Sequence, residues 1–540
     1  MANPFLWIVT VGGFLAFLTG AGVGMNDLSN AFGTTYGAKV LTLVQICILA
    51  SICEFAGSVS LGGAVTSTIS GGIANPSNFT NHPYFFMYGM LCACGAAFTW
   101  LAIATWLTLP VSSTHSICGG IIGFALVFGG GNGVYWAKPQ SDFPFFGGVA
   151  PIVASWFISP LLTGIVAALI YGSVRFFVLR PKNSVQRAIY TLPLIVGIAF
   201  FLESFFVLYK GAKTRLHWDV KRSAWVAACI GGAAGGLSCG FIPLLKLRIR
   251  RIEREAEELA REEHLPLGLV ELEMAVTGEF HEVHDPHLEH FANPESIFAD
   301  IGAEAHHRTH AEAVEEPPRK RGQSPTAGAV VSEEMEERSS CSGSERAAAT
   351  PTARSGANTA SGLDVQMYNS NAEIVYRYLQ IFTAICASFA HGASDVSNAV
   401  GPFAAIYAIY QTGEVEFGDT PIWILCLGGA GLVVGLSTFG VRLMRLLGEK
   451  ITVITPSRGF SAELSAALVV SFASGYGIPV SSTHCITGAV VAISMVDVGI
   501  KKVRWLMVLK MYGGWIFTLV VTAVMSATFF AQGVYAPGFQ

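Results

Sequence analysis

Two polar clusters sit inside apolar runs, and their residue types are those that hold ions. Gly24-Met25-Asn26-Asp27-Leu28-Ser29-Asn30-Ala31-Phe32-Gly33 closes the uncharged run Phe5 to Val23. Gly392-Ala393-Ser394-Asp395-Val396-Ser397-Asn398-Ala399-Val400-Gly401 closes another apolar run. Asp27 and Asp395 lie 368 positions apart, as do Asn30 and Asn398. Carboxylate and amide oxygens are ligands for hard cations. A charge at membrane depth is costly, and by default it is there for function. The pattern is an internal duplication with one polar half-site per copy.

A second pair points to an anion. Leu109-Pro110-Val111-Ser112-Ser113-Thr114-His115 is echoed by Ile478-Pro479-Val480-Ser481-Ser482-Thr483-His484. Asp27 to Ser112 spans 85 positions and Asp395 to Ser481 spans 86. Proline and hydroxyl residues ahead of an apolar run predict a helix start. Its free N–H groups, its hydroxyls and the positive end of its dipole suit a tetrahedral oxyanion. Ordinary Ser/Thr capping would explain one such start; two at matched spacing predict a site shared between the copies. His115 and His484 are read as orienting or packing residues.

The carboxylates need a partner of opposite sign. Glu54, Glu203 and Glu463 also fall in apolar surroundings. Bare aspartates would repel an oxyanion, whereas Na+ held between them would attract it. A proton on the carboxylate is the alternative. Either way cation and anion favour each other's binding, which is the basis of symport. Asn26, Asn30 and Asn398 can offer oxygen to the cation or N–H to the anion. Glu203, outside both motifs, is read as structural or snorkelling.

The elements that must place these residues are membrane helices. The chain of 540 residues is 52% hydrophobic and 13% charged, with mean hydropathy +0.51. Soluble proteins carry about 25% charged residues. Spans are expected near 5–24, 39–64, 84–108, 150–178, 188–209, 223–245, 374–391, 421–444 and 506–530. Shorter helices are expected at 28–38, 109–128, 396–411, 459–477 and 478–496. The fold class is an all-α polytopic membrane protein: two inverted-topology repeats with discontinuous, re-entrant helices and about 10–12 membrane segments. Phe5 to Val23 lacks a basic flank and a cleavage site, so it is read as the first span and not as a signal peptide. Dense glycine (59 residues) suits close helix packing in lipid. Ten of the 11 cysteines lie in apolar runs without paired spacing and read as small buried hydrophobes.

Three parts follow: a membrane half at 1–246, a polar segment at 247–372 and a second membrane half at 373–540. The polar segment holds 24 acidic and 12 basic residues, leaving 13 acids and 21 bases elsewhere. The net charge of −4 is therefore an average, and it gives no sign of nucleic acid. Leu247 to Glu263 reads as a charged helix leaving the membrane. The low-complexity remainder reads as a largely disordered linker. Its histidines at 281, 284, 287 and 290 are taken as incidental, with a regulatory metal site as the alternative. Lys and Arg near 180–187, 442–450 and 501–504 mark inside loops. The acidic loop 411–420 and the Asn78-Phe79-Thr80 sequon mark outside ones. This places both termini outside and the central segment in the cytoplasm, although basic loop 210–222 disagrees. The two motif helices then run in opposite directions, as in inverted repeats.

These motifs, with Pro456-Ser457-Arg458-Gly459-Phe460-Ser461-Ala462-Glu463-Leu464, resemble the inorganic phosphate transporter (PiT) family over roughly 1–246 and 372–540. The resemblance implies inward orthophosphate transport in the plasma membrane, coupled to Na+ in most animal and fungal members and to H+ in many others. It implies that acidic residues of known importance match Asp27, Glu54, Asp395 and Glu463, and that the Ser-Ser-Thr runs bind phosphate. Met25 and Ser394 depart from the family's usual alanine and asparagine. Ser394, being shorter, leaves the second cation contact the weaker one. The long central loop resembles the eukaryotic, usually Na+-driven branch. A phosphate site of Ser112, Ser113, Thr114, Ser481, Ser482, Thr483, Asn30 and Asn398 is therefore expected. Cation coupling is expected at Asn26, Asp27, Glu54, Ser394, Asp395 and Glu463, with Na+ near Asp27 and Asp395. Another oxyanion such as sulfate, or a transceptor role for the long loop, are the competing readings. No enzymatic motif and no cofactor beyond the co-transported ion are expected. A homodimer is compatible with the sequence without being required by it.

Overall fold

In lipid a backbone must satisfy its own hydrogen bonds, so each long apolar run becomes a helix. A computed structural model describes residues 4–141, 143–211, 218–262, 368–440, 444 and 454–536. They belong to one compact unit, Met1–Gly278 with Asn358–Gln540. The second unit, Glu279–Ala357, falls outside the described residues, and with it the four histidines and most of the polar segment. So do Lys213 and Arg215 of the dissenting basic loop, and Arg442, Arg445 and Lys450.

The described residues are helical nearly throughout. The first part holds α1 (Leu6–Gly37), α2 (Leu43–Leu61), α3 (Gly63–Gly71), α4 (Pro83–Trp106) and α5 (Ser113–Gly129). A two-stranded hairpin, β1 (Lys138–Pro139) and β2 (Phe146–Gly147), leads to α6 (Val149–Val174), α7 (Ser184–Phe206) and α8 (Val220–Glu262). The second part holds α9 (Ser370–Thr412), α10 (Ile422–Thr438), α11 (Pro456–Gly475), α12 (Ser482–Val498) and α13 (Trp505–Tyr535). Among the described residues eight helices are long and apolar enough to cross a membrane; α10 and α12 are shorter apolar helices. As the Arg/Glu alternation predicts, α8 runs straight on from the membrane stretch into the charged one.

The discontinuities do not fall at the aspartate motifs. The expected break between 5–24 and 28–38 is absent, because α1 continues through Asp27 to Gly37. Likewise 374–391 and 396–411 are one helix, α9. The reason is local: the Ser29 hydroxyl donates to the Asn26 carbonyl (3.0 Å) and Asn30 Nδ2 to Asp27 Oδ1 (2.9 Å). The hydroxyl and amide side chains turn back onto the preceding turn without unwinding the ladder. The Ser397 hydroxyl bonds the Ser394 carbonyl in the same way.

The breaks fall instead at Gly62, between α2 and α3, and at two elbows, 107–112 and 476–481. The elbows are built alike. The Leu109 N–H bonds the Ala104 carbonyl (2.8 Å), and the Ile478 N–H bonds the Ala473 carbonyl (3.0 Å). Each turn needs one left-handed residue, Thr108 (φ 55°) in the first and Gly477 (φ 67°) in the second. A threonine there costs about 1–2 kcal/mol more than glycine. Two helical hairpins result, α4–α5 and α11–α12.

The two halves exchange partners. α1 packs against α10 and α9 against α2, so each motif helix crosses a helix of the other half. Glycine permits both crossings. A Cβ on Gly24 would lie 2.2 Å from the Leu432 carbonyl oxygen, and one on Gly392 would lie 2.2 Å from that of Glu54. Gly24 and Gly392 are themselves 368 positions apart. The duplication read in the sequence is thus a duplication of contacts. At its base the α4–α5 hairpin is closed by apolar aromatics: Phe79 stacks on Phe128 at 4.4 Å and meets Phe86 edge-on at 5.1 Å.

Candidate functional site

The hairpin elbows aim the starts of α5 and α12 at each other. The Thr114 hydroxyl donates to the Val480 carbonyl (3.1 Å), and Thr483 reaches the Val111 carbonyl at 3.5 Å. Ser112 and Ser481 are the N-cap residues, as the Pro-Val-Ser-Ser-Thr pattern predicts. First-turn N–H groups have no partner within their own helix, so two sets of donors and two positive dipole ends converge here.

The aspartate motifs flank these starts with approximate twofold symmetry. Asp27 Oδ2 accepts from the Ser113 hydroxyl (2.7 Å), and Asp395 Oδ2 accepts from that of Ser482 (3.3 Å). Those bonds stay within a half; the asparagines cross between halves. Asn30 Nδ2 donates to Ser482 Oγ (3.2 Å) and Thr483 Oγ1 (2.9 Å). Asn398 Nδ2 lies 3.3 Å from Ser113 Oγ and 3.2 Å from Thr114 Oγ1. All these side chains are buried. Their donors are spent, while Asn30 Oδ1, Asn398 Oδ1 and Asp395 Oδ1 have no hydrogen-bond partner. Three buried acceptor oxygens without donors are what a cation, not an anion, would relieve.

The other candidates fall in different places. Asn26 holds the first elbow: its Nδ2 donates to the Leu109 carbonyl (3.2 Å) and its Oδ1 accepts from the Val111 N–H (3.2 Å). Ser394 is buried beside Asp395. Glu54 is buried under Gly392, and its Oε1 has no hydrogen-bond partner. Glu463 is buried and fully engaged. Its Oε1 accepts from Thr34 (2.5 Å), Thr35 (2.6 Å) and Gln380 (3.1 Å), and its Oε2 from Thr383 (2.9 Å). It brackets α1, α9 and α11 together. Sequence reasoning missed those four donors, because nothing in their spacing announces a shared carboxylate. Glu203 is also buried, at 3.2 Å from the Ser471 hydroxyl.

Behind the hydroxyls stand the two histidines. His115 Nδ1 meets Ser112 Oγ at 2.7 Å, and its ring stacks on Trp156 at 3.9 Å. His484 Nδ1 faces the Trp156 carbonyl at 3.2 Å, and its ring lies 3.8 Å from that of Trp515. A carbonyl can only accept, so His484 carries its proton on Nδ1. Both rings orient and pack.

The Ser112 hydroxyl also accepts from the His115 N–H (3.3 Å), whereas Ser481 caps nothing with its side chain. Ser112→Ala is therefore expected to destabilise the protein by about 1 kcal/mol, and Ser481→Ala by distinctly less. Thermal unfolding of both variants in detergent measures the difference. Equal losses would show that the cap contributes nothing.

The phosphate transporter family model matches residues 23–526. The phosphate-repressible phosphate permease pho-4 of Neurospora crassa is 30% identical, over 99% of this chain and 98% of its own length. The mouse sodium-dependent phosphate transporter 1 is 28% identical, over 98% and 96% respectively. A solved structure described as the sodium-dependent phosphate transporter superposes with a TM-score of 0.67 at 26% identity, covering 97% of this chain and 98% of that one.

Proposed function

The chain belongs to the phosphate transporter family, and from that premise we propose that it is a Na+-coupled importer of inorganic phosphate working by alternating access. The observation that carries the coupling is the exchanged site: Asn30 binds the hydroxyls of the second half and Asn398 those of the first. A cation at the open oxygens of Asp395, Asn30 and Asn398 would fix the amides whose N–H groups orient the opposite Ser-Thr pair. Cation binding in one half then prepares the anion donors of the other. Among the described residues no group of three His, Cys, Asp or Glu side chains is set to hold a metal. Mixed amide and carboxylate oxygens suit a weakly held, exchangeable Na+ better than a resident transition metal.

On this reading phosphate lies between the starts of α5 and α12, held by first-turn N–H groups and by Ser112, Ser113, Thr114, Ser481, Ser482 and Thr483. The Ser113, Ser482 and Thr114 hydroxyls, turned here onto Asp27, Asp395 and Val480, would swing to the anion as Na+ takes over the carboxylates. Asn26 supports the first elbow, and Glu463 ties the helices behind the site. The membrane halves at 1–246 and 373–540 form the carrier, with 247–372 a cytoplasmic loop and both termini outside, in the plasma membrane.

The test is radiolabelled phosphate uptake into proteoliposomes under an inward Na+ gradient, against choline, an inward proton gradient and labelled sulfate. Stimulation by Na+, with phosphate preferred over sulfate, is expected. Stimulation by protons alone would overturn the Na+ assignment and make Asp27 and Asp395 proton carriers.

A further inference from the structure

The two hairpins are closed at their bases by opposite chemistries. The α4–α5 base is aromatic, with the exposed His82 ring at its edge. The α11–α12 base is ionic: Arg458, in the first turn of α11, pairs with Asp497, in the last turn of α12. Both are buried, at 1% and 3% side-chain exposure. Further arms of the cluster reach α6 and α9. Asp497 Oδ1 accepts from the Tyr171 hydroxyl of α6 (3.0 Å) and lies 3.9 Å from Arg175 Nη2, just past the end of α6. Arg175 bonds the Val496 carbonyl through Nη1, and its Nε donates to the Tyr368 hydroxyl (2.6 Å), which precedes α9. Glu373, at the start of α9, accepts from the N–H and hydroxyl of Ser457, both 2.8 Å. The cluster lies at the end of the bundle where the central segment departs. There Asn371 Nδ2 of α9 also bonds Glu253 Oε1 on the extension of α8 (2.9 Å).

We infer that Arg458 and Asp497 are positioning residues for transport: their buried pair, tied to α6 through Tyr171 and Arg175, holds the base of the α11–α12 hairpin shut, and its release opens the site toward the end from which the central segment departs. The inference rests on the transport reading above. A buried ion pair adds little stability compared with apolar packing of the same volume, so stability alone does not account for one here. Opening that mouth admits water, which can solvate separated Arg and Asp side chains. Opening an aromatic base would wet apolar rings instead. The ionic base is thus suited to repeated release, and its strength sets the share of carriers facing each side.

The test uses the full chain in right-side-out and inside-out vesicles from the same membranes, with radiolabelled phosphate. KM is independent of how much protein folds, so it is read on both faces. Loosening the clasp lowers the fraction facing outward, and apparent affinity falls in proportion to that fraction. Asp497→Asn is expected to raise the outside phosphate KM about tenfold and to lower the inside KM. Arg458→Lys, which keeps the charge, should hold the ratio of the two near that of the unaltered protein. Tyr171→Phe removes one hydroxyl and should move both constants the same way by a smaller factor, which decides the matter if Asp497→Asn fails to fold. KM values unchanged on both faces, or raised equally on both, would overturn the clasp. Unaltered vesicles that carry no phosphate from either side would instead remove the transport reading itself.

Discussion

Asp27→Asn and Asp395→Asn should each lower Na+-stimulated phosphate uptake at least about a hundredfold, the loss expected when a charge-assisted interaction is removed from a buried site. For Asp27 the geometry makes the case twice. Its carboxylate accepts from Asn30 Nδ2 and from the Ser113 hydroxyl, so both oxygens already face donors. An amide would turn an NH2 toward one of them, opposing the Asn30 N–H or leaving the Ser113 hydroxyl without its acceptor. The change also removes half of the charge available to a cation between the halves. For Asp395 one oxygen meets Ser482 and the other meets nothing, so the loss should fall on the cation first. The measurement is initial uptake at several Na+ concentrations in proteoliposomes of matched protein content. Near-normal Na+ stimulation in either variant would remove that aspartate from the cation site.

Gly392→Ala should destabilise the protein although it improves helix propensity. Replacing glycine by alanine inside a helix gains about 1 kcal/mol. Here the new methyl would sit 2.2 Å from the Glu54 carbonyl oxygen, well inside contact distance, so α9 and α2 must part. Overpacking that forces backbone to shift costs about 1–3 kcal/mol, and at this distance the upper end applies, so the clash wins. Gly24→Ala, against the Leu432 carbonyl at the same distance, should behave alike. Gly232→Ala is the control, since a Cβ there meets nothing within 4 Å. Thermal unfolding in detergent should show losses for the first two and none for the third. A stable Gly392→Ala protein would mean the crossing is looser than described.

What could be read from the chain follows from which interactions are local. The paired motifs were visible because duplication preserved both residue type and spacing, and the N-caps at Ser112 and Ser481 were visible because capping is a one-turn event. The continuity of α1 and α9 was not. Polar residues in an apolar run look like a break until side chains such as Ser29, Asn30 and Ser397 are seen to fold back onto the preceding turn. The amide of Asn26 reaches the backbone around Pro110, more than 80 positions away, and no spacing rule predicts that. Thr34, Thr35, Gln380 and Thr383 are ordinary helix residues until Glu463 gathers them. Arg458 belonged to a motif that could be quoted, but its partner Asp497 stands among apolar neighbours with nothing local to mark it.

The exchanged crossings also bear on how the chain is made. α1 emerges from the ribosome early, yet the backbone its Gly24 must meet belongs to Leu432, and the hydroxyls its Asn30 must meet belong to Ser482 and Thr483. Until more than 400 further residues have been synthesised, Asn30 lacks the Ser482 and Thr483 hydroxyls it binds. The first half can enter the membrane on its own hydrophobicity, but it cannot finish its own interior. The site is therefore completed late in synthesis, and a nascent chain halted within the central segment would present an unfinished polar seam to whatever surveys the membrane for misassembly.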